Sequence, residues 1–382
     1  MVRVSEEQDP RRTPDADEPS FFGDPKRLIQ TGIAVVLLTV AIYVLLPKIV
    51  GLDDALSKVG EGDPIWIAIA VMFTVAAFGA YVALFKGVVG EKVIHLTVSE
   101  SYQITMAGLM ATRLFSAGGA GGILLQYWAL RKAGMERRRS VCRMLAFLII
   151  QYSVYLAALI VCGILLREGV LPGNAPWGMT VVPAIVAGVL LAIMLLMAFV
   201  PEALERRMEK IGSDGKIARF ARRAATAPAT FAQATRTAIA YLRQGTQGVL
   251  AYAGAIGYWA AQIGILWASF QAFDVDVPFG VVIQGFFVGM AANLFPLAPG
   301  GVGAVDAGMI GAFVLFGLPE EEVFVSILTY RVIAFWLPIP PGIVAFFQLR
   351  RTVRRWESEG REAPAEVAAS ERRAEEAEAA PA

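Results

Sequence analysis

The sequence runs to 382 residues, 56% of them apolar and 18% charged, with 34 Lys and Arg against 33 Asp and Glu for a net charge of +1. Soluble domains carry about 45–50% apolar and about 25% charged residues, so this chain holds more apolar surface than a water-facing fold hides, and its balanced charge excludes a whole-chain attraction for nucleic acid. A single histidine, His95, and two cysteines argue against His-based catalysis and clustered zinc sites, and neither an H-E-x-x-H pattern nor a Walker lysine is present.

The chain opens on residues 1–27, a mixed-charge stretch without apolar periodicity that reads as a disordered cytoplasmic tail. Apolar runs follow at residues 28–46, 64–85, 144–166, 179–200, 248–273 and 323–349. Each approaches or exceeds the roughly 20 residues that cross a hydrocarbon core of about 30 Å, so each predicts a membrane span. The first is longer than the ~7–15 residues of a signal-peptide core and reads as a retained anchor. Cys142 and Cys162 fall on one predicted helix, about 30 Å apart at ~1.5 Å per residue, too far to pair or to share a metal. Trp66, Trp128, Trp177, Trp259, Trp267 and Trp336 read as interfacial or packing residues. Gln151, Gln262, Gln284 and Asn293 are placed to hydrogen-bond between helices.

Loop charge orients the spans, because short cytoplasmic loops carry an excess of Lys and Arg. Residues 131–143 hold Arg131, Lys132, Arg137, Arg138, Arg139 and Arg143, and the last span is followed by Arg350, Arg351, Arg354 and Arg355. The linker 201–247 interleaves Leu204, Met208, Ile217 and Phe220 with Arg206, Arg207, Lys210 and Arg219, the spacing of a basic amphipathic helix lying on anionic lipid. These segments are placed in the cytoplasm. Loops bearing Asp53, Asp54, Glu61 and Asp63, then Asp274 and Asp276, then Glu320, Glu321 and Glu322 are placed outside. Both termini are thereby cytoplasmic, and residues 351–382 read as a second disordered tail.

Two segments are left with no room to cross. Residues 102–131 must enter from the cytoplasm and return to it, and residues 280–317 must do the same from outside. Each predicts a re-entrant helical hairpin whose arms, of about 12–16 residues, reach only ~18–24 Å. Such backbone is tolerated at membrane depth where protein buries it or where it lines a water-filled cavity. The two segments also correspond: Ala111-Thr112-Arg113-Leu114-Phe115-Ser116 matches Ala291-Ala292-Asn293-Leu294-Phe295-Pro296. Gly118, Gly119, Gly121 and Gly122 then answer Pro299, Gly300, Gly301 and Gly303. After Gly134 and Gly317 come charged triplets of opposite sign, Arg137 to Arg139 and Glu320 to Glu322, as an upside-down copy requires.

The expected fold class is therefore an all-α polytopic membrane protein of two inverted-topology repeats, each with a re-entrant helical hairpin. Repeat one is residues 28–166 and repeat two 179–349, the latter containing the linker, all within one membrane domain of residues 28–350. Paired interrupted helices near the midplane point to a transporter's binding site; close packing of small residues is the structural alternative.

Ionisable side chains inside spans are costly, about 2.5–3.5 kcal/mol for a central Arg on insertion scales, and by default mark a site. Arg113 falls in the first hairpin, Asp306 in the second and Arg331 well inside the last span. The planar fork of Arg suits phosphate and keeps its charge in a dry site, and helix N-termini at the glycine-rich breaks offer N–H donors to an anion. The predicted substrate-binding set is Arg113, Arg331, Asp306, Asn293, Gly119, Gly121, Pro299, Gly300, Gly301 and Gly303. No catalytic residue, metal ligand or cofactor is expected. Internal pairing of Arg331 with Asp306, and snorkelling of Arg113 to the headgroups, are the structural alternatives. The Gly300–Gly303 run is no dinucleotide motif, because Asp306 stands at its closing glycine.

The run Pro296-Leu297-Ala298-Pro299-Gly300-Gly301-Val302-Gly303, with Gly317, Tyr330-Arg331, Trp336, Pro338 and Gly342 after it, resembles the transmembrane flippase-like domain of lysylphosphatidylglycerol synthases and their stand-alone relatives. Gly118 to Gly122 and Trp128-Ala129-Leu130-Arg131 are similar to the matching motif of the first half. The resemblance covers residues 28–350 and implies a domain that moves a phospholipid or lipid-linked headgroup between leaflets. Asp306 stands where that family has Glu, and Ser116 where its first motif often has Pro. The synthases carry a soluble aminoacyltransferase domain after the membrane region; the short stretch after Arg350 leads to the expectation that this chain is not an enzyme.

The combined reading is a bacterial inner-membrane flippase-like protein whose partners are the membrane and an anionic lipid or lipid-linked substrate, with no nucleic acid. Two alternatives stay open. One is a membrane scaffold that holds an envelope-synthesis enzyme, a glycosyltransferase or lipid synthase, through its basic linker. The other is an ion-coupled solute transporter with Asp306 as its proton or cation site.

Overall fold

The computed structural model describes residues 59–89, 94–114, 120–198, 231–241, 245–294 and 303–360, together with positions 30 and 33. Among them the regular elements are helical: α1 (Pro64–Val89), α2 (Val98–Leu114), α3 (Ala120–Lys132), α4 (Arg137–Arg167), α5 (Trp177–Met197), α6 (Gly245–Gln271), α7 (Phe279–Met290), α8 (Ala304–Leu315), α9 (Glu320–Arg331) and α10 (Ile339–Ser358). Residues 231–241 form a further helical stretch before α6. A π-helical turn, Val332–Trp336, joins α9 to α10.

Among the described residues, five runs are long and apolar enough to cross a membrane: α1, α4, α5, α6 and the 39-residue run Glu320–Ser358. They match five of the six predicted spans and make this a multi-pass membrane protein; the predicted span 28–46 and most of the linker, 201–230, lie outside the described residues. Lipid explains the outward apolar side chains of α5, such as Ile185, Val189 and Leu196, since a span buries its face against hydrocarbon as readily as against protein. By contrast α2, α3, α7 and α8, of 17, 13, 12 and 12 residues, reach only ~18–25 Å, short of the ~30 Å core.

Local sequence sets where the short helices begin and end. Thr97 and Glu100 form a reciprocal cap on α2: the Glu100 N–H donates to Thr97 Oγ1 at 3.1 Å and the Thr97 N–H to Glu100 Oε2 at 2.8 Å. Helices α3 and α8 end alike. Gly134 and Gly317 take φ of 95° and 97°, and the next N–H reaches back five residues, Met135 to Leu130 O and Leu318 to Phe313 O. This is a Schellman stop, and only glycine takes that φ without strain. The members of each short pair also touch through glycine: a Cβ on Gly122 of α3 would strike the Gly108 carbonyl of α2, and one on Gly308 of α8 would lie 2.9 Å from the Gly289 carbonyl of α7.

Contacts sort the helix ends onto two faces. On one, the last turns of α10 meet the start of α2 through Arg355 and Trp356 on Glu100, and the end of α3 through a 2.8 Å Lys132–Glu357 ion pair. There too, Arg143 at the start of α4 and the Tyr241 hydroxyl both donate to the Val88 carbonyl at the end of α1. On the other, the Asp63 N–H before α1 donates to the Ala272 carbonyl after α6, and Asn174 donates to the Phe316 carbonyl after α8. Glu61, Asp274, Glu321 and Glu322 share a pocket on this second face.

The buried side chains form two main clusters. One joins α1–α4, residues 231–241 and α10, including Phe85, Trp128, Phe346 and Trp356. The other joins α4–α9, including Tyr155, Trp259, Phe286 and Phe313. The π turn divides between them, Phe335 going to the first and Ile333 and Ala334 to the second. One expectation needs correcting here: the tail was placed from residue 351, but α10 continues to Ser358. Its Leu349, Val353 and Trp356 are buried against the first cluster, and that stripe carries the helix through its charged residues.

Candidate functional site

Three of the helix breaks converge where the clusters meet. Asp306 lies in the first turn of α8, Arg331 ends α9 and Arg113 lies in the last turn of α2. All three are buried, at 3%, 6% and 9% exposure, so neither arginine snorkels to water. Asp306 Oδ1 stands 2.6 Å from Arg331 Nε, and its Oδ2 accepts from the Gly303 N–H at 2.7 Å. Gly303 has φ of 84°, which turns its N–H back onto that carboxylate at the positive end of the α8 dipole. The protein's own acid therefore serves the N-terminus that the sequence offered to an external anion.

Arg113 is held differently. Its Nη2 donates to the Ala334 carbonyl at 2.8 Å, while Nη1 is buried with no partner among the described residues. The acceptor exists because of Pro338: four residues after Ala334, it has no N–H to close the helical bond. The chain widens there into the π turn, in which Leu337 N–H bonds five residues back to Val332 O, and such turns recur at functional sites. Phe335 then lies between the charges, its ring centroid 5.6 Å from the Arg113 guanidinium and 5.0 Å from that of Arg331. Each contact contributes ~2 kcal/mol where water is excluded. Tyr258, Tyr330 and Tyr81 are the electrostatic neighbours of Arg113 besides Arg331.

Arg331 thus has a carboxylate, while one guanidinium nitrogen of Arg113 has no partner among the described residues. A buried cation with a spare donor is costly in hydrocarbon unless an anion can reach it. An oxyanion at Arg113 would balance the charge and take the free N–H, which a phosphate does with a forked pair of bonds.

Of the predicted residues, the structure gathers Arg113, Arg331, Asp306 and Gly303. Gly121 is buried in the first turn of α3. Asn293 belongs to a 3-10 turn, Ala291–Leu294, its side chain outside the description. Gly119, Pro299, Gly300 and Gly301 lie outside the described residues. Sequence reasoning did not name Phe335, the Ala334 carbonyl, Tyr81 or Tyr258, and it named Tyr330 only within the family motif. Pro338 was the readable signal for the carbonyl, whereas nothing distinguishes Phe335 from the chain's other phenylalanines before the turn is seen.

With this geometry in place, comparison with known proteins is informative. The sequence model of the lysylphosphatidylglycerol synthase TM region matches residues 29–342. A phosphatidylglycerol lysyltransferase of Staphylococcus haemolyticus is 27% identical over 104 residues, 27% of this chain and 12% of that protein. A UPF0104 membrane protein of Methanothermobacter thermautotrophicus is 31% identical over 86 residues, 22% of this chain and 26% of that protein. The chain therefore aligns with a minor part of the length of each of these relatives.

Proposed function

Because this chain belongs to the lysylphosphatidylglycerol synthase TM region family, we propose that it is a flippase-like protein that moves an anionic phospholipid or lipid-linked headgroup between leaflets. The observation that carries the reading is the spare donor of Arg113, buried beside an arginine that has its own acid. The phosphate docks on Arg113 and draws on Arg331, with Asp306 holding Arg331 when the site is empty. No bond is made or broken. Helices α2–α3 and α7–α8 are two re-entrant hairpins from opposite faces, in two inverted repeats. Their short lengths, matching Schellman stops and glycine contacts support this, as do α2 and α3 meeting the end of α10 on one face while α8 ends on the other. The basic face is cytoplasmic, which follows from its Lys132, Arg143 and Arg355 against the Glu61, Asp274 and Glu321 of the other.

Proteoliposomes holding a fluorescent phosphatidylglycerol test this through the fraction of label open to an impermeant reductant over time. Replacing Arg113 by Met removes a charge-assisted contact of ~1.5–3 kcal/mol, so flipping should slow about tenfold or more. An unchanged rate would take Arg113 out of the mechanism, and wild-type vesicles no faster than empty ones would end the flippase reading.

A further inference from the structure

A second polar feature lies deep in the membrane region, away from the Asp306 pair. Fifteen residues of α4 lie on either side of Tyr152, and thirteen of α6 on either side of Tyr258, so both tyrosines sit at mid-span. Tyrosine belongs at headgroup depth, where its hydroxyl meets water. Tyr152 is nonetheless 46% exposed, and its hydroxyl makes no hydrogen bond among the described residues. Hydrocarbon offers that group nothing.

Behind Tyr152 the layer stays polar. Gln151 and Gln262 are only 7% and 8% exposed, and each has a buried side-chain oxygen without a partner among the described residues. The Trp259 indole donates to the Gln151 carbonyl at 2.9 Å and fixes α6 against α4 at this level. Gln262 Nε2 donates to the Tyr258 hydroxyl at 3.1 Å, and the Tyr258 ring lies 5.1 Å from that of Tyr81. Tyr258 is an electrostatic neighbour of both Tyr152 and Arg113. Polar side chains therefore follow one another in this layer, Tyr152 and Gln151 on α4 and Gln262 and Tyr258 on α6, and Tyr258 is an electrostatic neighbour of the buried Arg113 guanidinium. Packing alone gives no reason for two buried side-chain oxygens in one mid-membrane layer with no partner among the described residues, each costing ~1–3 kcal/mol, beside an unbonded hydroxyl.

We infer that the junction of α4 and α6 at Tyr152 and Tyr258 is a lateral polar window through which a phospholipid headgroup passes between the bilayer and Arg113. This rests on the flippase reading above and adds the route. The acyl chains stay in lipid while Tyr152, Gln151, Gln262 and Tyr258 replace, in turn, the water that the headgroup leaves behind.

Two measurements on the full chain in proteoliposomes test it. The first needs no transport: in a background with Cys142 and Cys162 replaced by Ala, Tyr152→Cys and Gln262→Cys are treated with a charged, membrane-impermeant thiosulfonate. Only a hydrated thiol ionises and reacts. Both should therefore react at least ~10-fold faster than Val161→Cys, an apolar position on the same helix as Tyr152 that is 55% exposed. The second is flipping of fluorescent phosphatidylglycerol, which Tyr152→Phe combined with Gln262→Leu should slow about tenfold while short-chain phosphatidylglycerol in detergent still binds. Cysteines at 152 and 262 as inert as the one at 161 would overturn the window even if flipping is normal. So would reactive cysteines with an undiminished flipping rate in the Tyr152→Phe/Gln262→Leu protein. Reactive cysteines in a wild-type protein that does not flip lipid at all would leave a hydrated window and remove the flippase reading instead.

Discussion

The two short helix pairs are built alike and charged differently. Both α2–α3 and α7–α8 cross through glycine, and both stop on a glycine of positive φ. Yet the second pair supplies Asp306, which takes Arg331 and its own helix N-terminus. The first supplies Arg113, whose described partners are a carbonyl and aromatic rings. The difference separates two tasks. One pair carries a charge that has its acid in place, and the other carries the charge that, on the flippase reading, a ligand balances.

The largest effect should come from unbalancing the second pair. Asp306→Ala takes away the acid that serves Arg331 and the α8 N-terminus, and stranding a buried charge costs about 3–5 kcal/mol. Denaturation in detergent should show that loss, and Asp306→Ala with Arg331→Met should recover most of it, because an apolar pair of similar volume replaces a buried ion pair at little cost. Arg113→Met, by contrast, strands only the Ala334 carbonyl, ~1–3 kcal/mol at most, from which the relief of an unbalanced charge is subtracted. If Arg113→Met destabilises as much as Asp306→Ala, the two arginines are equally compensated and the contrast between the pairs fails.

The likeness of the pairs can be broken in the same way. Gly122→Val and Gly308→Val each drive a side chain into the backbone of the facing helix, an overpacking worth about 1–3 kcal/mol. Gly311→Ala in α8 meets nothing within 4 Å and should gain ~0.5–1 kcal/mol of helix propensity. A Gly122→Val protein as stable as wild type would show that α2 and α3 can separate where α7 and α8 cannot.

How much of this was legible depends on which kind of signal carried it. Span positions and loop charges were readable because hydropathy and the excess of Lys and Arg act over many residues. The site's three charged residues were readable because charge inside a span is rare. The crossing glycines Gly108, Gly289 and Gly308 escaped, since they sit outside the dense Gly-Pro runs that drew attention. So did the end of α10. Arg350-Arg351-Thr352-Val353-Arg354-Arg355-Trp356 reads as a solvated tail by composition, although Leu349, Val353 and Trp356 keep the i, i+4, i+7 stripe of a helix with one buried face. What no local pattern could give is the partner of that face, the buried carboxylate of Glu100 some 250 residues earlier.

That contact supports the smallest of the predicted changes and sharpens the comparison at the opposite end of the first pair. Glu100 Oε1 accepts from the Trp356 indole at 3.1 Å and from Arg355 Nη2 at 3.0 Å, and Gln103 accepts from Thr352 one turn on. Trp356 is fully buried and Glu100 is 4% exposed, whereas the Arg355 side chain is 57% exposed. Most of the bond's value should therefore lie with the indole and little with the ion pair, which water screens. Glu100→Ala leaves the indole N–H buried without an acceptor and also removes the α2 cap, so about 1–3 kcal/mol of stability should be lost. Glu100→Gln keeps one oxygen, for the indole or for the Thr97 N–H, and sets its amide NH2 against the other donor, so it should also cost about 1–3 kcal/mol. Arg355→Ala should then be close to neutral. If Arg355→Ala proves as damaging as Glu100→Ala, the ion pair itself holds α10 against α2. In that case the first pair has an acid of its own at the membrane surface and lacks one only at Arg113.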